Sequence, residues 1–150
     1  MTRIVALDPG RDKCGLLLAD IATNTVLQGM VIPSAEVLDQ LRTWMVNAQG
    51  ETPQIAELVI GDGTSSTIWQ QQLPSSLKLH VVDETGTTLR ARDRYWQLWP
   101  ARGWKRLLPS GLRIPPGDLD AIAALVILED YLDRPLRWPG PDPLKSEPAR

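Results

Sequence analysis

Arg3-Ile4-Val5-Ala6-Leu7-Asp8-Pro9-Gly10 is the stretch on which the fold turns. A short apolar run stops at an acid, a proline and a glycine. That pattern predicts a buried strand closed by a turn, with Asp8 at the strand's end. An acid before Pro-Gly also suits a plain turn, because Asp favours such positions. What stands elsewhere in the chain decides between the two.

Working outward, Gly15 to Ala19 is a second apolar run, and Val26 to Ile32 a third after a turn at Ala22-Thr23-Asn24-Thr25. Together the three predict an antiparallel meander. Ser34 is placed to cap a helix carrying Val37, Leu38, Leu41, Trp44 and Met45 at helical spacing, with Gly50 as its stop. Ile55 to Ile60 reads as a fourth strand closed by Gly61-Asp62-Gly63, and Thr64 to Leu73 as a short helix. Lys78 to Val82 reads as a fifth strand, ending at Asp83-Glu84. Thr87 or Thr88 caps a helix to about Trp99, and the proline-rich stretch 100–117 reads as a loop. Asp118 caps a last helix from Leu119 to about Asp133, so apolar at its centre that it must lie against a sheet. The order β-β-β-α-β-α-β-α-α predicts an α/β fold: a five-stranded mixed sheet with helices packed on it. From Pro135 onward there are five prolines, which predicts an extended, flexible tail over 135–150.

The bulk numbers fit this plan. A chain of 150 residues with 43% hydrophobic residues suits one ordinary globular domain. No apolar run is long enough to span a bilayer, and the first residues do not read as a signal peptide, so no membrane partner is expected. A lone Cys14 rules out an internal disulfide and points to a reducing, cytoplasmic setting. With His80 as the one histidine, a Cys/His zinc cluster is excluded, and any metal must be held by oxygen. Cys14 and His80 themselves read as a core thiol and a strand residue.

Acids follow the strands that should run parallel. Asp8 ends the first, Asp62 follows the fourth, Asp83 and Glu84 follow the fifth, and Asp118 and Asp120 open the last helix. Ligands of open α/β sheets sit beyond the carboxyl ends of parallel strands, so these acids can converge. Such a cluster suits Mg²⁺ or Mn²⁺, and a pair of these ions supports phosphodiester hydrolysis. Plainer roles compete: Asp62 as a turn residue, Asp118 as a helix cap, Asp120 as a partner of the helix dipole, Glu84 as a surface acid.

Three segments carry a family resemblance. Asp8-Pro-Gly-Arg-Asp-Lys-Cys-Gly15 resembles the opening Asp-x-Gly motif, with its basic residue and later Gly, of the YqgF/RuvX-type nucleases. Asp83-Glu-Thr-Gly-Thr-Thr-Leu-Arg-Ala-Arg92 resembles that family's Asp-Glu-Arg-Leu-(Ser/Thr)-Thr segment, and Asp120 to Leu132 its closing Asp-Ser-x-Ala-Ala helix. The three occur in the family's order. The resemblance implies an RNase H-like domain over 1–134, related to Holliday junction resolvases, with Asp8, Glu84 and Asp120 as catalytic, metal-binding carboxylates. Asp118 or Asp62 would be a further ligand. It implies a hydrolase of structured nucleic acid, either a pre-16S ribosomal RNA nuclease or a resolvase-like enzyme on branched DNA, acting as monomer or homodimer. The chain also departs from the family. Thr85 and Gly86 stand where the family has Arg and Leu, and Gly61-Asp62-Gly63 replaces Gly-Leu-Pro. These changes keep open a non-catalytic binding protein of the same fold, or a scaffold that docks through its Pro/Trp tail.

Charge adds a second theme. Net charge is −2, yet Arg90, Arg92, Arg94, Arg102, Lys105, Arg106 and Arg113 are accompanied only by Asp93, so residues 90–113 carry +6 and the remainder −8. Tyr95, Trp96, Trp99 and Trp104 lie among them. Basic side chains neutralise phosphates, and exposed aromatics stack on unpaired bases. The expected nucleic-acid contacts are Lys13, Arg92, Arg102, Trp104, Lys105, Arg106 and Arg113. Trp96 and Trp99, three apart on a helix, suit the core instead, and Arg90 and Arg94 an ordinary solvated face.

Overall fold

A computed structural model of the chain describes residues 3–46, 55–63, 66–109 and 112–144, with backbone alone at Ala56 and Ser66. The elements are β1 (Arg3–Asp8), β2 (Lys13–Asp20), β3 (Thr25–Pro33), α1 (Val37–Met45), β4 (Ile55–Gly61), α2 (Ser66–Gln72), β5 (Lys78–Val82), α3 (Thr87–Leu98) and α4 (Asp120–Leu132). The strands form one mixed sheet in the order β3-β2-β1-β4-β5. β1, β2 and β3 are antiparallel neighbours, whereas β4 and β5 run parallel to β1. The α/β class, the mixed five-stranded sheet and the element order match the sequence expectation. The expected helix stop at Gly50, the helix start at Thr64 and the tail beyond Leu144 lie outside the described residues.

Period-two alternation divides the strands between two cores. Val5, Leu7, Leu16, Leu18, Leu58 and Ile60 meet α1 and α2 through Val37, Leu41, Trp44 and Trp69. Ile4, Ala6, Leu17, Ala19 and Val59 meet α4 through Ala124, Leu125, Ile127 and Leu128. α3 then covers the outer side of α4, with Ala91 and Tyr95 against Ile122, Ala123 and Val126. Lying between sheet and helix, α4 is buried without a break from Ala121 to Leu128, which is why its centre carries no polar stripe. Each large apolar side chain so buried contributes roughly 1.5–3 kcal/mol.

Three expected helix caps are corrected: neither Thr87 nor Thr88 caps α3, whose N-cap is Gly86 with no side-chain bond, and two others fail likewise. Ser34 opens a 3-10 turn, Ser34–Glu36, without capping it. Its hydroxyl donates instead to the Gly10 carbonyl at 3.1 Å and lies 3.4 Å from Cys14 Sγ, tying the end of β3 to the loop after Asp8. Asp118 does not cap α4, whose N-cap is Leu119 with no side-chain bond; Asp118 pairs with Lys13.

Asp133, at φ 54°, turns the chain out of α4, and the described part of the proline-rich tail, residues 135–144, packs against the body. Leu136 is 2% exposed, and Trp138 packs over Gly29. Arg94 clamps this strap by donating to Glu129 at 2.9 Å and to the Leu136 carbonyl at 2.9 Å, while the Leu136 N–H donates to Glu129 at 2.7 Å. Tyr95 donates its hydroxyl to Asp142. The prolines deny this segment a helix, but its apolar residues still find a core.

Candidate functional site

The same alternation that sorts the core sets the site. Counting in twos from Ile4 and Ala6 brings Asp8 to the α4 face of the sheet, and from Val59 brings Gly61 there. His80 stacks on Tyr131 of α4, so Val82 and then Glu84 fall on that face too. The start of α4 reaches it because Gly15, opposite Asp8 in the ladder, has no side chain: a Cβ there would stand 1.8 Å from the Asp120 carbonyl oxygen. Two parallel strand ends and one helix N-terminus thus bring Glu84 and Asp120 each within electrostatic reach of Asp8.

Their electrostatics record the convergence. Burial, and after it the charges of Glu84 and Asp120, push the Asp8 carboxyl up to about 8. Burial also raises Glu84, with Asp62 and Asp83 adding to the shift and a hydrogen bond with Asp8 opposing it. Asp120 is raised by burial and by Asp118, and lowered by Lys13. Like charges brought this close disfavour one another's ionised forms, so Asp8 and Glu84 hold a proton between them. Glu84 Oε2 is buried and has no donor. Either a proton on Asp8 or a cation has to satisfy it. Among the described residues, no three His, Cys, Asp or Glu side chains stand grouped as a metal-holding set in this conformation. The donor set is nonetheless all carboxylate, as Mg²⁺ or Mn²⁺ prefers, and the orphaned Glu84 oxygen fits such an ion.

Around Glu84 the chain is tightly specified. Its carboxylate occupies the space that side chains at residues 61 and 63 would fill: a Cβ on Gly61 would lie 2.2 Å from Glu84 Oε2, and one on Gly63 1.8 Å from Oε1. Asp62 Oδ1 accepts the Glu84 N–H at 3.1 Å, and the Asp62 N–H donates to the Val82 carbonyl at 2.9 Å. Beyond Glu84, Thr85 donates through both N–H and hydroxyl to Asp83 Oδ1, which holds Asp83 below the usual carboxylate range. Gly86 takes φ 74°, which favours glycine, and Thr87 donates its hydroxyl to the Glu84 carbonyl. Thr85 and Gly86 therefore build the turn that leads from Glu84 into α3.

The other candidate residues fall into three groups. Lys13, at the start of β2, pairs with Asp118, and both are about half exposed. Arg102, Trp104, Lys105 and Arg106 are exposed on the loop before α4, around a 3-10 turn at Gly103–Leu107, with Trp104 at 68%. Arg113 is committed within that loop, donating to the carbonyls of Lys105, Arg106 and Leu108 at 2.8 to 3.1 Å. Arg92 is half-buried on α3. Trp96 and Trp99 pack with Tyr95, as helical spacing predicts. Arg90 and Arg94 are not merely solvated: they pair with Asp130 and Glu129 of α4.

Sequence reasoning did not foresee Gly15, Gly61 and Gly63 as parts of the site. Their signal was present in the spacing: a glycine opposite Asp8 by the meander, and two flanking Asp62. No protein-family model matches the chain, and no curated protein sequence matches it. No helix among the described residues is long and apolar enough to cross a membrane.

Proposed function

We propose that the chain is a divalent-metal-dependent nuclease of RNase H-like, YqgF type, hydrolysing phosphodiester bonds in structured nucleic acid. Pre-ribosomal RNA is the favoured substrate and branched DNA the competing one. The observation that carries this reading is that Asp8, at the end of β1, lies part-buried within electrostatic reach of both Glu84 and Asp120, whose charges add to burial in raising its carboxyl. A meander joined to parallel strands, with helices on both faces, supports the fold assignment.

In this reading Asp8, Glu84 and Asp120 hold Mg²⁺ or Mn²⁺. When bound, the ion offsets their like charges and polarises a phosphate. The proton that Asp8 and Glu84 share would be released to solvent on binding. Lys13, beside the cluster, is exposed enough to exchange Asp118 for a phosphate oxygen. Arg102, Lys105 and Arg106 neutralise backbone charge, and Trp104 stacks on an unpaired base. The test is cleavage of structured RNA and of a four-way DNA junction by purified protein, with Mg²⁺, with Mn²⁺ and with chelator. Metal-dependent cutting that Asp8→Asn abolishes is the expected result.

A second reading, a nucleic-acid-binding protein without catalysis, draws on Thr85, which stands where the resembling family has Arg and supplies no cation for a transition-state phosphate. Tight binding without cleavage, identical for wild type and Asp8→Asn, would establish it over the first.

A further inference from the structure

We propose that Gly61, Asp62 and Gly63 are positioning residues for Glu84, and that this turn, rather than Asp62 as a ligand, sets where the Glu84 carboxylate stands. The inference rests on the metal-binding reading of Glu84 and goes beyond it, to what holds that side chain.

Three observations meet here. The carboxylate lies where both glycines lack a side chain, within 2.2 Å of one missing Cβ and 1.8 Å of the other. Those separations are far inside any van der Waals contact, so no L-residue at 61 or 63 is compatible with this rotamer. Gly61 is further hemmed in by Ile127 Cδ1, 3.0 Å from its missing Cβ. The carboxylate therefore sits between the β4 end and α4. Asp62 then fixes the backbone of Glu84 itself, by accepting its N–H at 3.1 Å while the Asp62 N–H continues the ladder to Val82. The bond that Asp62 Oδ1 makes is to a main-chain donor, which directs its carboxylate toward the backbone of Glu84.

Neither glycine takes a left-handed backbone, since positive φ among the described glycines occurs only at Gly86 and Gly103. Conformational freedom is thus not what requires glycine at 61 and 63; space is. The turn gives Glu84 a fixed location without any bond to its orphaned Oε2, leaving that oxygen free for a cation. Supporting groups that orient a metal ligand are worth about 10- to 100-fold in metal affinity.

The experiment is Mn²⁺ titration of the full chain, by calorimetry and by electron paramagnetic resonance of free Mn²⁺, alongside thermal melts without metal. Gly63→Ala forces the Glu84 carboxylate to rotate away and is expected to weaken Mn²⁺ binding at least about tenfold. A cooperative metal-free melt shows that the variant is folded, so that the loss reads on the ligand and not on the fold. Asp62→Asn keeps an oxygen acceptor for the Glu84 N–H and should bind Mn²⁺ nearly as wild type, whereas Asp62→Ala should not. Wild-type binding matched by Gly63→Ala and by Asp62→Ala overturns the positioning role alone. Equal loss in Asp62→Asn and Asp62→Ala overturns it in favour of Asp62 as a direct ligand. Wild type that binds no Mn²⁺ overturns this inference together with the metal-binding reading beneath it.

Discussion

Asp8 is the residue whose protonation links the site to the stability of the whole chain. In the native, metal-free state its carboxyl titrates near 8, against an ordinary value of 3.8. Between those values the native state binds more protons than the unfolded chain. Stability is therefore full below the ordinary value and is lost as pH rises toward the raised one. One proton gives a slope of at most about 1.4 kcal/mol per pH unit. The melting temperature of metal-free wild type is thus expected to fall between about pH 4 and pH 8, and Asp8→Asn to flatten that fall. A wild-type profile level across that interval would mean that Asp8 and Glu84 share no proton. Asp8 was readable as a strand-end acid because apolar periodicity stops on it. Its raised titration was not readable, because that depends on Glu84, 76 positions later in the chain.

At the scale of elements, the junction of α4 with β2 decides whether the cluster exists. Helix α4 starts where it does because Gly15 lets its first carbonyl approach the strand. Gly15→Ala would put a methyl group against backbone, which cannot rotate away. Overpacking of this kind costs about 1–3 kcal/mol. Urea unfolding should show that loss, and Mn²⁺ affinity should fall with it as Asp120 is displaced. An unchanged unfolding midpoint would show that α4 does not need this approach. The existence and order of the strands and helices were legible from period-two and helical spacing. The helix caps were not: Ser34 and Asp118 are favoured cap residues, but each has a tertiary partner, Gly10 and Lys13, that it meets instead. The segment 135–144 shows the same limit. Its prolines exclude a helix, yet Leu136 and Trp138 are drawn onto the body by burial that composition does not reveal.

Across the whole molecule, charge is divided between a basic region at 90–113 and an acidic remainder. The structure divides the basic residues again. Arg90 and Arg94 brace α4, and Arg113 braces its own loop. That leaves Arg102, Lys105 and Arg106 exposed beside Trp104. Replacing all three with alanine should weaken binding of single-stranded RNA and reduce the slope of log affinity against log salt by about 2. An unchanged slope would remove this loop from the nucleic-acid surface. The sequence by itself determined the α/β class, the order of elements and the acids at the strand ends, because these follow from local periodicity and from which residues stop a strand. Only the tertiary structure decided which cations are free, and that Gly61 and Gly63 make room for Glu84. Those facts depend on side chains far apart in the chain competing for the same space and the same hydrogen bonds. Asp8 needed both: local pattern marked its place, and packing supplied the neighbours that give that place its chemistry.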